Sequence, residues 1–299
     1  MPIEDDLDAL LALPETRQVD AARALLAKAP APLPEVWNST FGPSSLFDAW
    51  CRTSVAGRVH GAIRDAVLPR LMPGYVLVEV GGGDGSTWRG HLPDVPGTLV
   101  VVDPVPEVHE RVRAATPAHV EVVAIPSPVQ EAALPEADVV VCSLTLHHVA
   151  GRDRAERAAH GLTGDGKREV LEAFRRALSP RGGLGVLVEA DVDCELDLPP
   201  GDPQLADHIF DSYVRRCARS IVADVRERDV DDDLRGRWRA LLRHWFLGQL
   251  VVADAPVAER DVYELTVPRW LEVLEAAGAE VVAHGFVDEL PLFHRYLFR

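Results

Sequence analysis

Short apolar runs alternate with stretches of helical periodicity through the middle of this 299-residue chain. The runs predict strands at 76–80, 98–103, 119–124, 138–143 and 184–190. The stretches between them predict helices after residue 85 and at 106–114 and 166–178. Since strands that alternate with helices form parallel sheets covered on both faces, the pattern indicates an α/β protein. A helix at 267–277 and two strands at 280–283 and 290–298 are predicted at the end.

Helical periodicity without strands flanks and interrupts this pattern. It covers 4–28 and about 44–71, while the proline-rich stretch 29–34 predicts a linker. A third helical stretch, 203–248, separates the fifth strand from the last two. The predicted organisation is a helical N-terminal cap over 1–72, a core over 73–194, a helical insertion over 195–260, and the last helix and strands of the core over 261–299.

Composition narrows the classes of function. The formal net charge of −16 argues against binding a nucleic-acid backbone, which needs clustered Lys and Arg. No apolar run reaches the roughly 20 residues of a membrane span, and residues 1–6 lack the features of a signal peptide. The cysteines show no CxxC spacing, so no zinc or redox motif is predicted. We expect a cytoplasmic protein with neither a membrane nor a nucleic-acid partner.

A glycine-rich segment follows the first predicted strand. The strand ends at Glu79, and the next residues include Gly81, Gly82, Gly83 and Gly85. Glycines let the backbone turn with positive φ and bring its N–H groups close to a ligand. The second strand ends in a carboxylate, at residue 103, which suits the two hydroxyls of a ribose. Together these features predict a site for a nucleoside-containing cofactor.

Four landmarks in this order resemble the class I S-adenosylmethionine-dependent methyltransferases, over about residues 70–299. They are the glycine motif at 79–85, Asp103, the segment 138–149 and the turn 178–183. The resemblance implies a Rossmann-like, seven-stranded, mostly parallel sheet with an antiparallel last strand, and S-adenosylmethionine as cofactor. A nicotinamide-binding Rossmann domain is the competing interpretation, but its fingerprint has a third glycine where this chain has Ser86.

The resemblance also implies which residues contact the cofactor. Glu79 and the glycines would hold the methionine end, and Asp103 with the adjacent Pro104 would hold the ribose. The family often has an acidic residue after the third strand for the adenine amine, and this chain has none there. Ser127, with Val129 beside it, is therefore the expected adenine contact, and Gln130 is the alternative to Ser127. The residues expected between cofactor and substrate are Ser143 and Leu144.

Two adjacent histidines follow the fourth predicted strand. Open α/β sheets bind ligands at the carboxyl ends of their strands, so His147 and His148 are candidates for a base that removes a proton from the methyl acceptor. His148 is the preferred candidate. The alternative is that one of the pair packs against the cofactor or caps the next helix.

The substrate side shows less specific patterns. Glu189, Asp191, Asp193 and Glu195 alternate along an extended segment, which puts four carboxylates on one side. These carboxylates would bind an amine or a metal, or they would only face solvent. Of these alternatives, a metal site is not the one we predict. Aromatic residues and histidines in the cap and insertion suit either a lid over a flat organic molecule or a helical core. The residues predicted to contact substrate are Trp50, Thr145, Asp191, Tyr213 and His244.

These inferences predict methyl transfer to an oxygen, nitrogen or carbon atom of a small organic molecule, in specialised metabolism. The alternative function is that of a protein with the same fold that binds the cofactor or another ligand without methylating anything. A homodimer is compatible with the sequence.

Overall fold

The computed structural model describes residues 2–28, 46–151, 153–160, 163–192, 198–260, 262–287 and 290–299. The predicted linker at 29–34 lies outside these residues, and so do the carboxylates of Asp193 and Glu195.

A seven-stranded sheet forms the centre of the molecule, with strand order β3-β2-β1-β4-β5-β7-β6. The first five strands are parallel, β7 is antiparallel to β5, and β6 is antiparallel to β7. The predicted fold class is therefore confirmed. The strands are β1 (Tyr75–Val80), β2 (Gly97–Val102), β3 (Val120–Ile125), β4 (Val139–Ser143), β5 (Leu184–Ala190), β6 (Val281–Val287) and β7 (Leu290–Phe298).

Helices cover both faces of the sheet and bury two apolar layers. On one face, Phe174 and Trp270 pack with the buried side chains of the central strands, while the other face is continuous with the helical part of the molecule. The α-helices are α1 (Ile3–Leu11), α2 (Glu15–Lys28), α3 (Leu46–Cys51), α4 (Ser54–Val67), α5 (Pro106–Ala115), α6 (Arg154–His160), α7 (Asp165–Ala177), α8 (Pro203–Phe210), α9 (Arg219–Glu227), α10 (Asp232–Leu241), α11 (Leu250–Asp254) and α12 (Val267–Ala276).

The segment between β1 and β2 contains turns where a helix was predicted. The helix expected after residue 85 is wrong, because residues 83–91 form successive turns. Gly90 adopts a φ of 73°, which interrupts any helix, and Pro93 and Pro96 follow before β2 begins. The backbone N–H groups near the glycines therefore belong to a loop rather than to a helix N-terminus.

The N-terminal helices and the insertion pack together as one helical layer. Arg239 of α10 pairs with Glu4 of α1 at 2.8 Å, and the Trp238 indole N–H donates to the Ala49 carbonyl of α3 at 2.9 Å. Helix α4, which the predicted cap includes, also contacts β5, β6 and β7. The proposed domain boundaries thus remain predictions, and the contacts show how closely the cap and the insertion are joined.

The insertion contains two stretches of π-helix, Asp211–Ala218 and Leu242–Phe246. Single π-turns inside helices are frequent at functional sites because they shift the direction of the side chains that follow. The chain returns from the insertion at Leu265, which forms a β-bridge with Asp191 just beyond β5. This bridge brings the start and the end of the insertion together at the carboxyl edge of the sheet.

Candidate active site

The carboxyl ends of the parallel strands meet at one edge of the sheet, and most predicted site residues lie on or near it. This edge is where open α/β sheets bind ligands, because the loops that follow neighbouring strands leave a crevice there. The predicted residues in these loops or strand ends are Glu79, Gly81, Gly82, Gly83, Gly85, Asp103, Pro104, Ser127, Val129, Ser143, Leu144, Thr145, His147, His148 and Asp191.

The glycine turn leaves no room for side chains. Gly81, Gly83 and Gly85 have positive φ values of 74°, 57° and 73°. A Cβ atom at Gly81 would lie 2.1 Å from Thr145 Oγ1, and one at Gly83 would lie 2.9 Å from the ring of Phe47 on α3. The turn therefore requires glycine, because the protein's own side chains fill the space beside it and Gly82, Gly83 and Gly85 are buried.

Glu79 is a buried carboxyl group at the base of this turn. Its side chain belongs to a residue that is 5% exposed, and among the described residues Oε2 has no hydrogen-bond partner. Burial raises the pKa of Glu79 to about 8, reinforced by the Asp84 and Asp103 carboxyl groups and opposed by the nearby Trp88 indole N–H, which lowers it. A cationic ligand group beside Oε2 would relieve this cost, because an opposite charge favours the ionised carboxylate.

Asp103 follows β2 and is also buried. Its Oδ1 accepts from the Val105 N–H at 2.8 Å, and its carbonyl oxygen lies 2.8 Å from Nε2 of His109. Burial raises the pKa of Asp103. The loop after β2 uses only Oδ1 of Asp103. The carboxyl group therefore shapes this loop with one oxygen and has a second oxygen at the edge of the sheet.

The loop after β3 provides the predicted adenine side. Val129 is buried, while Pro104 in the neighbouring loop is exposed. The Ser127 hydroxyl is buried and has no hydrogen-bond partner among the described residues. Glu79 Oε2 and Trp88 Nε1 are also buried without a hydrogen-bond partner among the described residues. S-adenosylmethionine has an ammonium group at one end, which suits the Glu79 carboxyl group, and an adenine at the other, which suits the Ser127 hydroxyl.

The exit of β4 has an unusual backbone. Leu144 has a φ of 50° and is the one non-glycine residue with positive φ in the described part of the chain. This conformation costs an L-residue roughly 1–2 kcal/mol. Its N–H donates to Val188 O at 2.8 Å, which holds the strained residue at the β4–β5 junction. Thr145, the next residue, faces Gly81 and donates its hydroxyl to Ser143 O at 3.0 Å.

His147 is held by a fully buried carboxyl group. Its Nδ1 lies 2.8 Å from Oε2 of Glu189, and because a carboxylate only accepts, Nδ1 is the donor. The second oxygen, Oε1, accepts from the N–H groups of Thr145 at 3.0 Å and Leu146 at 2.6 Å. Three donors thus fix Glu189 in place, and Glu189 in turn fixes the ring of His147.

The protonation of His147 reflects several neighbours. Burial favours the neutral ring and so lowers the pKa, but the charge and hydrogen bond of Glu189 and the charge of Glu264 outweigh burial. The net result is a pKa above the ordinary value of 6.5. His148, the preferred candidate base, is exposed, and its ring centroid lies 4.2 Å from that of His147. The assignment of either histidine as a base stays a prediction, and the geometry favours His147.

Two buried residues near His147 were not singled out from the sequence. Glu264 is 3% exposed and lies next to Tyr263, whose N–H donates to His147 O at 2.7 Å. Lys167 is 0% exposed and donates from Nζ to Val149 O at 2.8 Å. The sequence held a signal for Lys167, because it occupies the buried stripe of α7, three and four residues before Val170 and Leu171. Nothing in the local sequence marks Glu264.

Aromatic side chains from the cap, the insertion and β7 form a cluster beside this edge. Trp50 of α3 lies at its centre, with ring centroids 6.5 Å from Trp245, 6.3 Å from Phe246 and 5.7 Å from Phe293. Tyr213 packs edge-on against Phe246 at 6.4 Å. The predicted substrate residues Trp50 and Tyr213 are therefore brought together, although they are far apart in sequence.

The other predicted substrate residues have different surroundings. Asp191 accepts from the Val267 N–H at 2.8 Å, at the start of α12, and its other oxygen lies 3.5 Å from Arg216. His244 is half-buried in the second π-helical stretch, where burial and the charge of Arg243 lower its pKa. Substrate contact by these two residues remains a prediction.

Neither a metal cluster nor a membrane helix is found in the described ranges. Among those residues, no group of three or more His, Cys, Asp or Glu side chains is arranged to hold a metal ion. Every helix there is too short or too polar to cross a bilayer.

A parallel sheet with an antiparallel last hairpin, a glycine turn after β1 and carboxyl groups at the strand ends define a Rossmann-like α/β protein. Comparison with protein families identifies the class more closely, because residues 78–186, from β1 into β5, match the model of the methyltransferase domain. This match, over 109 of the 299 residues, supports the resemblance to the class I S-adenosylmethionine-dependent methyltransferases seen in the sequence.

The chain is similar to several solved structures. A possible exported protein from Bordetella parapertussis has a TM-score of 0.50 and 18% identity, covering 94% of this chain and 78% of that one. The N-methyltransferase NodS from Bradyrhizobium japonicum WM9 has a TM-score of 0.46 and 12% identity, covering 83% of this chain and 98% of that one. Human N-acetylserotonin methyltransferase has a TM-score of 0.45 and 15% identity, covering 95% of this chain and 66% of that one. No curated protein sequence matches the chain.

Proposed function

We propose that this protein transfers the methyl group of S-adenosylmethionine to a small organic molecule, and that His147 removes the proton of a hydroxyl acceptor. The observation that carries the proposal is the 2.8 Å contact between His147 Nδ1 and the fully buried Glu189. A histidine oriented by a buried carboxyl group at the ligand-binding edge of the sheet is suited to general-base catalysis.

Glu189 would serve to hold the tautomer and the direction of the ring. With Nδ1 donating to Oε2, the neutral ring has its free lone pair on Nε2. That nitrogen would accept the proton as the acceptor oxygen attacks, and Glu189 would stabilise the imidazolium that results. An oxygen acceptor is favoured over carbon because a hydroxyl must lose a proton and a single positioned base suffices for this.

The cofactor supplies an activated methyl group when bound. Glu79 would face its ammonium end, the glycine turn at 81–85 would lie beside it, and Asp103 would accept from the ribose hydroxyls. Ser127 would contact the adenine. The unsatisfied Glu79 Oε2 and Ser127 Oγ support this assignment, since each buried atom gains a partner.

The substrate class follows from the surroundings of the site. The net charge of −16 disfavours nucleic acid as substrate. Trp50, Phe246 and Phe293 of the aromatic cluster are buried in the core, and a small apolar or aromatic molecule would pack at its margin, where Tyr213 and Trp245 are partly buried. We extend the proposal to a role in specialised metabolism in the cytoplasm. A homodimer is compatible with this role.

A thermal-shift titration tests the cofactor first. S-adenosylmethionine and its demethylated product should each raise the melting temperature, since a ligand that binds only the native state stabilises it. NAD should have no effect. Stabilisation by NAD alone would overturn the cofactor assignment.

Methyl transfer is tested with S-adenosylmethionine carrying an isotope-labelled methyl group, incubated with a small-molecule extract of the source organism. We expect a labelled product, detected by mass spectrometry, and a loss of about 10²–10⁴-fold in rate for His147→Gln. His119→Gln is the matched control, because His119 precedes β3 at the opposite edge of the sheet. Binding without transfer to any component would favour the non-methylating alternative.

A further inference from the structure

Tyr213 joins the helical insertion to the surroundings of His147. It lies in the first π-helical stretch, and its hydroxyl donates to Oε1 of Glu264. Glu264 is 3% exposed, so this bond lies in a region from which water is largely excluded. The adjacent residue Tyr263 donates its N–H to His147 O at 2.7 Å. The adjacent residues 263 and 264 therefore join the candidate base, bonded by the Tyr263 N–H, to the insertion, bonded by the Glu264 carboxyl group.

Charged groups on several elements act on His147. Glu189 of β5 is bonded to its ring, and the charge of Glu264, in the segment before α12, favours the charged ring. Lys167 approaches from α7, with its Nζ 5.9 Å from the centre of the Tyr263 ring, and it opposes the two carboxyl groups. His148 is the neighbour in sequence. The contact of Glu264 includes a side chain of the insertion, Tyr213.

We propose that Tyr213 is a positioning residue, whose hydroxyl holds Glu264 against His147 so that the helical insertion completes the catalytic base. The proposal rests on the proposed role of His147. It gives the Tyr213 hydroxyl a function distinct from substrate contact, while the ring remains part of the aromatic cluster with Phe246. Chemistry would then depend on the insertion being docked at the edge of the sheet.

The physical consequence concerns the charge of Glu264. A hydrogen bond to a buried carboxylate favours its ionised form. Without the Tyr213 donor, Glu264 takes up a proton more readily, and a neutral Glu264 no longer favours the imidazolium of His147. Loss of the hydroxyl should therefore lower the pKa of His147, in the same direction as loss of the carboxylate itself.

NMR titration of the histidine rings tests this without any knowledge of the substrate. The protein is labelled at histidine, and the His147 signals are assigned by their absence in His147→Gln. In Glu264→Gln the midpoint of the His147 titration should fall by roughly one pH unit, as expected for removal of one nearby opposite charge. In Tyr213→Phe it should fall by less, and in the double variant it should equal that of Glu264→Gln.

Tyr75→Phe is the matched control. Its buried hydroxyl has no hydrogen-bond partner among the described residues, and it begins β1 at the opposite edge of the sheet, so the His147 titration should not move. An unchanged midpoint in Tyr213→Phe would overturn the proposal. The proposal would also be overturned if Tyr213→Phe shifted the His147 midpoint equally with and without Glu264→Gln, because the effect would then not pass through Glu264.

Kinetics separates positioning from substrate contact once an acceptor is known. Tyr213→Phe should lower kcat and move the acidic limb of the rate profile to lower pH, with KM nearly unchanged. A raised KM with an unmoved limb would show substrate contact and overturn the positioning role. The titration and the kinetics distinguish the two proposals, because a protein that transfers no methyl group would still show the coupling between Tyr213 and His147.

Discussion

Gly81 lies so close to Thr145 that any side chain would disturb the junction between β1 and β4. We predict that Gly81→Ala lowers the affinity for S-adenosylmethionine by at least about tenfold, because its Cβ would lie 2.1 Å from Thr145 Oγ1 and its φ of 74° is strained for alanine. Isothermal titration calorimetry measures the change. The control is Gly57→Ala on α4, where a Cβ meets nothing within 4 Å and alanine should stabilise the helix by about 0.5–1 kcal/mol. Equal affinity in both variants would contradict the assigned role of the turn.

Glu79 makes cofactor binding depend on pH. Its pKa of about 8 in the unliganded protein means that the carboxyl group is largely protonated at neutral pH. The ammonium of the cofactor favours the ionised form, so binding should release a proton below pH 8, and affinity should rise with pH up to about that value. Calorimetry in buffers of different ionisation enthalpy measures the release. Glu79→Gln should abolish both effects, and a pH dependence that survives in it would assign the proton to another group.

His147 and His148 show which information a single sequence lacks at the residue scale. Both histidines follow β4, and their types and spacing do not distinguish them. The distinction depends on Glu189, which is 42 residues away and reaches His147 because β4 and β5 are neighbours. The role of Glu264 is still harder to predict from the sequence than the choice between the histidines, because it depends on where the insertion returns to the core.

At the scale of elements, Asp191 connects the end of β5 to the start of α12. Asp191→Ala should destabilise the protein by about 1–2 kcal/mol, because it removes an acceptor from the first turn of a helix and a partner of Arg216. Chemical denaturation measures the loss. Asp191→Asn keeps an acceptor oxygen and should recover most of it. A normal stability with a raised KM would instead support the predicted contact with substrate.

The strands were predictable from sequence because parallel strands buried on both faces appear as nearly continuous apolar runs. β1 and β4 are examples, since Leu77 and Val78 on one strand and Val139 and Val140 on the other are each fully buried. The segment after the glycine turn was not predictable in the same way. The alternation of strands and helices predicts a helix there, whereas Gly90 and the two prolines before β2 produce turns.

At the scale of the whole molecule, the cap and the insertion should open together. Burial opposes ionisation of Glu4, but its hydrogen bonds and the charge of Arg239 lower its pKa below 4.5. The ion pair therefore contributes stability above pH 4.5 and loses it as the pH falls through the lower pKa of the folded state. Glu4→Gln should raise hydrogen exchange in α1 and α10 together by roughly fivefold, equivalent to about 1 kcal/mol.

The control for this prediction is Glu15→Gln, at the exposed start of α2. Mass spectrometry of peptides from both regions follows the exchange. Faster exchange in α1 alone would show that the N-terminal helices open independently of the insertion. The sequence predicted these two helical regions separately, and their association could not be inferred because it depends on contacts such as that between Glu4 and Arg239, 235 residues apart.

The burial of Lys167 has a practical consequence for observing such motions. The chain has two lysines, and while Lys167 is 0% exposed, Lys28 lies exposed at the end of α2. An amine-reactive dye at a pH that spares other nucleophiles would label the folded protein at Lys28, apart from the terminal amine. The native sequence thus provides an attachment point on the cap for fluorescence measurements, and labelling of Lys167 would report that the core around His147 has opened.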